Sequence, residues 1–168
     1  MTTQLLRPNG SFAVYQGSEY RISGWHKDTI VLHAYGPTPP PGFLPRQGHW
    51  QLAVPTADLD RVFDRDATFW WRGAHFTIDQ LDGDIVEGTM LMDVWPEPRT
   101  EFMKRPEMSE DPWEGPRGRP IGRIPVAEIY DVSIREYGIS IETGKLDPPI
   151  DPQDFPKRFW RAEYFDKS

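Results

Sequence analysis

Cysteine is absent from the 168 residues. That removes disulfides, thiolate nucleophiles and cysteine-ligated zinc or iron–sulfur sites together. No apolar run approaches the length of about 18 residues needed to cross a bilayer, so the sequence predicts no transmembrane helix. The stretch Met1 to Pro8 has neither the basic start nor the long apolar core of a secretion signal. A cytoplasmic location and no membrane partner are therefore expected. Basic residues are in the minority: 19 Lys and Arg face 26 Asp and Glu, for a net charge of −7. Phosphate neutralisation needs a basic face, so non-specific nucleic-acid binding is not expected.

Catalytic and cofactor motifs are lacking too. No Walker loop exists, and no Gly-x-Gly-x-x-Gly opens a helix. Gly115, Gly118 and Gly122 are interspersed with prolines and cannot present a run of backbone amides. No Gly-x-Ser-x-Gly elbow is present; Ser11 and Ser18 are turn residues. The four histidines, His26, His33, His49 and His75, show no metal-ligand spacing. They read either as ordinary strand and turn residues or, for His26 and His75, as a general base beside an Asp. Asp58, Asp60, Asp64 and Asp66 form an acidic run without the central Gly of a calcium loop. Asp79, Asp82, Asp84 and Glu87 surround Gly83, and Asp-Gly-Asp is also a good turn. The expectation is no metal, no cofactor and no catalytic residue.

Proline is plentiful: 18 residues, five of them within 37–45, six within 96–120 and four within 148–156. Proline fixes φ and lacks an amide donor, so these clusters read as loops. The 37–45 stretch reads as a stiff loop or as a polyproline ligand. The segments between the clusters are short and rich in β-branched and aromatic residues. Strands are predicted at 12–15, 20–24, 29–35, 50–54, 68–72, 75–79, 85–92, 121–124, 130–135 and 138–142. Short turns of helix are predicted at 56–62 and 126–129. One C-terminal helix is predicted over 154–166 with Asp154 as N-cap. The class is mainly β, and 22 aromatics supply a core.

Two patterns recur. Tyr15-x-Gly17-x-x-Tyr20-x-Ile22 returns as Trp71-x-Gly73-x-x-Phe76-x-Ile78, and Asp28 and Ile30 return as Asp84 and Val86. Val54-Pro55-x-Ala57-Asp58-Leu59 returns as Ile124-Pro125-x-Ala127-Glu128-Ile129. Gly17 and Gly73 sit where a tight hairpin needs positive φ. A three-strand meander, a loop, a strand ending in Pro, a helical turn and a closing strand is the order of a small SH3-like barrel. The expected fold is two tandem SH3-like barrels from an internal duplication, packed together, with a short C-terminal helix. The first repeat is 9–66. The second is 67–143 with a long inserted loop at 95–119. A Pro-rich tail and short helix fill 144–168. A single sheet or sandwich of the same strands is the alternative.

Large apolar residues in the long loop stand among prolines and charges. They either fold back onto the barrel or anchor a partner. The candidate partner-binding residues are Trp95, Glu110, Asp111, Trp113 and Glu114, with Phe43 from the proline-rich 37–45 stretch.

The Tyr15–Ile22 hairpin and the later Val54-Pro55-x-Ala57-Asp58-Leu59 segment resemble small bacterial immunity proteins of polymorphic toxin systems. The overall look is similar to actinobacterial immunity factors that neutralise secreted NAD⁺ glycohydrolase toxins. The resemblance implies an acidic, cytosolic, non-catalytic protein that occludes one cognate toxin, an NAD⁺ glycohydrolase or a nuclease, as a heterodimer. No binding residue of the family carries over to a matched position. Two other readings stand beside it. One is an adaptor with SH3-like grooves lined by Tyr15, Tyr20, Trp25 and Trp71. The other is an enzyme using His26 or His75.

Overall fold

The structure is a computed structural model and describes residues 5–165. It is mainly β, with two antiparallel sheets and only short helices. Contacts divide the chain into two compact units. The first comprises Ser11–Arg65 and the described residues from Glu136 onward; the second comprises residues up to Gly10 and Asp66–Arg135. No helix is long and apolar enough to cross a membrane.

The first unit begins with β1 (Gly10–Tyr15), β2 (Ser18–His26) and β3 (Thr29–Ala34). β4 (Leu44–Arg46), β5 (His49–Pro55) and the start of β6 (Arg61–Trp71) follow. The end of β12 (Tyr130–Ile139) completes its sheet, in the order β12-β6-β1-β2-β3-β5-β4. β4 carries Pro45 and stands at the edge, where a missing donor costs no ladder bond. The core of this unit gathers Ala13, Ile30, Leu32, Phe43, Val54, Leu59 and Val62 with Ile139, Leu146, Phe155 and Tyr164.

The second unit takes the rest of β6, then β7 (Ala74–Thr77), β8 (Gln80–Asp82) and β9 (Ile85–Thr89). A helix α1 (Arg99–Met103), β10 (Met108–Ser109), β11 (Ile121–Pro125) and the start of β12 follow. β7 pairs with β6, and a four-stranded sheet runs β10-β11-β9-β8. Its core contains Phe69, Trp71, Phe76, Ile78, Val86, Met90, Phe102 and Ile124, with Ala67, Ala74 and Met108.

The two units repeat each other's local geometry. Gln16-Gly17 and Arg72-Gly73 both have positive φ, at 51° and 80° against 48° and 77°. That is the turn whose twist matches antiparallel strands. Phe12 pairs with Arg21 as Thr68 pairs with Thr77. Thr29 pairs with Pro55 as Ile85 pairs with Pro125. After each proline comes a three-residue 3₁₀ turn, Thr56–Asp58 and Val126–Glu128. The Thr56 amide donates to the Asp28 carbonyl at 2.7 Å, and the Val126 amide to the Asp84 carbonyl at 2.8 Å. Neither sheet is closed into a barrel among the described residues.

Three sequence expectations need correction. The predicted helix over 154–166 is not continuous: a 3₁₀ turn at Lys157–Phe159 is followed by α2 (Ala162–Phe165), and Asp166 lies outside the described residues. The reason is Pro156, whose ring forces the preceding residue out of the helical region. The predicted strands 130–135 and 138–142 are a single strand, β12. The strand predicted at 68–72 begins earlier, at Arg61, so Asp64 and Asp66 of the acidic run lie within β6.

Within β6, Val62 and Asp64 point to one side and Phe63 and Arg65 to the other. Asp64 is 1% exposed. Its carboxylate accepts the Ser11 hydroxyl at 2.6 Å and the Tyr164 hydroxyl at 2.8 Å. Burial pushes the Asp64 pKa up, although both hydrogen bonds and Arg161 oppose that. The Tyr164 hydroxyl therefore fastens the C-terminal segment to β6. Tyr164→Phe should cost about 1–3 kcal/mol at pH 7, because a buried carboxylate loses a donor. The lost donor served the ionised form, so the variant's Asp64 pKa rises further and the deficit shrinks as acid protonates Asp64. Urea melts at pH 7 and near pH 4 measure this, and an equal loss at both would count against it.

Candidate functional site

The 95–119 loop divides into a covered and an exposed part. Trp95 is half-buried and meets Phe102 edge-on at 6.2 Å, with the Arg99 guanidinium 5.5 Å from its ring centre. Phe102 lies on α1, is fully buried and meets Trp71 at 5.8 Å. Trp95 thus packs on the core of the second unit. Phe43 is 6% exposed and packs against Tyr20 at 4.9 Å, inside the first unit. Of the three candidate aromatics, Trp113 alone projects outward, at 93% exposure.

The backbone beneath Trp113 is held firmly. The Asp111 carboxylate accepts the amide of Trp113 at 2.7 Å and that of Glu114 at 3.0 Å. The Gly115 amide returns to the Asp111 carbonyl at 2.8 Å. Two backbone donors on one carboxylate hold the Asp111 pKa below its ordinary range. Gly118 closes the base: any Cβ there would overlap the Asp111 side chain. Glu110, Asp111 and Glu114 are brought together on this loop, and Glu110 and Glu114 are exposed beside Trp113. An exposed indole on a stiff turn with a carboxylate on either side suits a partner that offers an apolar slot with a basic rim.

Of the residues expected to line an adaptor's grooves, Trp71 and Tyr20 are taken up by packing within the fold. Trp71 is fully buried, with its indole N–H reaching Glu128 at 3.4 Å, and Tyr20 packs on Phe43. Trp25 is half-buried, and its indole N–H donates to the Lys27 carbonyl at 2.9 Å.

The histidines pair in ways their spacing concealed. His33 on β3 and His49 on β5 stack at 4.3 Å. Burial, then His49 and Arg46, push the His33 pKa down. His75 stacks on Trp70 at 4.4 Å and 8°, and its Nδ1 lies 3.2 Å from an Asp93 carboxylate oxygen. That pair supplies the close His–carboxylate contact of the enzyme reading, which also calls for a concave pocket around it. His26 is exposed. Among the described residues, no group of three or more His, Asp or Glu is placed to hold a metal ion.

No protein family, curated protein or solved structure matches this chain.

Proposed function

We propose that the chain is a non-catalytic, cytoplasmic binding protein built from two SH3-like repeats of one duplication, and that it neutralises a single cognate toxin by occluding it. The observation that carries the binding reading is Trp113, at 93% exposure on a turn fixed through Asp111. Leaving an indole in water is unfavourable for the monomer, and ordering the loop beforehand lowers the cost of association. The duplication is supported by the shared register, the paired positive-φ turns and the two Pro-led 3₁₀ turns. The order β6-β1-β2-β3-β5 with a 3₁₀ turn before the closing strand also supports the SH3-like part. The toxin as partner rests on the likeness to immunity proteins and on the acidic balance, which suits a basic active cleft.

Trp113→Ala should leave the melting temperature unchanged, because the side chain touches little of its own chain. It should weaken partner binding by about 2 kcal/mol or more, as truncation of a central anchor does. The test is capture from host lysate with the wild type and the variant, followed by titration of the retained protein and an assay of its toxicity. One partner held at equal stoichiometry, rendered harmless by the wild type and freed by Trp113→Ala, supports the proposal. Early melting of the variant, or unchanged capture, would count against Trp113 as anchor.

A further inference from the structure

We propose that the first unit carries a groove for a phosphorylated planar compound of the nucleoside monophosphate class. Its phosphate is held by Arg158 and Arg161, and its ring is laid against Trp25. The groove lies between the end of β2 and the C-terminal segment and has two adjoining lobes. One lobe, of about 350 Å³, takes in Ser11, Ser23, Trp25, Arg158, Trp160 and Arg161. The other, of about 290 Å³, shares Trp25 and Arg161 and adds Lys27, Glu142, Thr143 and Glu163. These volumes suit a small organic molecule.

Charge decides the class of ligand. In a chain of net charge −7, the charged lining of the larger lobe is two guanidinium groups and no carboxylate. Guanidinium forks match the several acceptor oxygens of a phosphate, and the Ser23 hydroxyl adds a further donor. Burial pushes the Arg158 pKa down, and a partly desolvated cation gains more from an anion than a hydrated one. In the smaller lobe Glu142 and Glu163 offset Lys27 and Arg161. A second anionic end is disfavoured there, while amino and hydroxyl donors find acceptors. The ligand is therefore anionic at one end and donor-rich at the other. Between the lobes stands the Trp25 ring, fixed by its bond to the Lys27 carbonyl, which offers a face for stacking.

The groove is braced. Ser11 lines one lobe and Tyr164 the other, and both donate to the buried Asp64. Ordered walls spare a ligand the cost of organising them.

This site is independent of the Trp113 loop, and its test is separate. Calorimetry on the full chain uses adenosine monophosphate, with adenosine and inorganic phosphate as the two halves. The expected result is a dissociation constant of about 100 µM or tighter for the monophosphate. Each half should bind at least about tenfold more weakly, as each forgoes one set of contacts. Arg158→Gln should melt like the wild type, while Arg161→Gln, which also loses its interaction with Asp64 and Tyr164, should melt somewhat earlier but stay folded; each should lose about tenfold in affinity. Trp113→Ala should bind as the wild type does. The proposal is overturned if the monophosphate gives no heat up to about 1 mM. It is equally overturned if adenosine matches the monophosphate, if inorganic phosphate does so (a bare anion site), or if both arginine variants bind unchanged.

Discussion

Replacing Arg65 with methionine should destabilise the protein by about 3–5 kcal/mol at pH 7, which is the scale of breaking a buried ion pair from one side. Arg65 is fully buried. Its guanidinium donates to Glu19 at 2.5 and 3.0 Å and to Glu136 at 2.8 and 2.9 Å. It also lies 4.7 Å from the Phe12 ring centre and 5.1 Å from that of Phe63. Burial alone would lower its pKa, but the two glutamates outweigh that and raise it. Methionine preserves part of the volume and keeps the contact with both rings, so the loss reports mainly on the ion pairs. Because Glu19 and Glu136 retain side-chain exposures of 29%, water partly solvates them in the variant, which favours the lower end of the range.

The same network fixes the pH dependence. Burial opposes the Glu136 charge, yet Arg65 and Arg61 prevail and pull its pKa below the ordinary 4.5. A carboxylate depressed in the folded state contributes stability that is present above its unfolded value. That stability is lost as pH falls through the folded value. The deficit of Arg65→Met should therefore be full at pH 7 and narrow below about pH 4. Adding Glu136→Gln should recover part of the loss, since one of the two carboxylates that lose Arg65 goes with it, although its pair with Arg61 is given up as well. Denaturant melts of the two variants at pH 7 and pH 3.5 decide this. A single variant as stable as the wild type, or a double variant weaker by the full sum, would rule out the ion pairs as the source.

Arg65 also shows where the sequence was hard to read. Hairpins at Gly17 and Gly73 and turns after Pro55 and Pro125 depend on local chemistry: positive φ that glycine tolerates and a φ that proline presets. They are legible from a handful of neighbours. The run Asp58 to Asp66 is not. Two of its carboxylates, Asp64 and Asp66, and the Arg65 guanidinium sit in the first half of β6, and only partners far along the chain, Ser11, Glu19, Glu136 and Tyr164, make the burial of Asp64 and Arg65 tolerable. Charge patterning sees the residues and not the partners. The candidate site divides in the same way. Trp95, Trp113 and Phe43 all stand in loops among prolines. Which of them turns inward depends on a ring to pack against, Phe102 for Trp95 and Tyr20 for Phe43. Nothing in the local sequence distinguishes them. The His33–His49 stack and the Trp25 groove were hidden because each joins segments that are distant in the chain.

Gly88→Ala should destabilise the protein by about 2–3 kcal/mol, although a glycine-to-alanine change at a compatible strand position stabilises by restricting the unfolded chain. The reason is a trade of volume between the two units. At equivalent places the first unit holds Ala13, Tyr20, Leu32 and Leu52, while the second holds Phe69, Phe76, Gly88 and Gly122. Phe69 and Phe76 stack at 5.2 Å and nearly parallel. A Cβ on Gly88 would lie 2.9 Å from Phe69 Cε1 and would overlap the Thr77 carbonyl oxygen; one on Gly122 would lie 3.1 Å from Phe76 Cε1. The two glycines thus make the space that the two rings occupy. Phe69→Ala alone should cost about 3–5 kcal/mol, by cavity formation. Combined with Gly88→Ala it should cost less than the sum, by about 1 kcal/mol, because the ring that the new methyl strikes is gone. The Thr77 carbonyl remains in place, so the rescue is partial. Gly24→Ala is the control: its Cβ would meet only the end of the His26 side chain, at 3.1 Å, and stability should stay within about 0.5 kcal/mol of the wild type. Strict additivity in the Phe69–Gly88 cycle, or a tolerated Gly88→Ala, would show that the rings do not depend on the glycine.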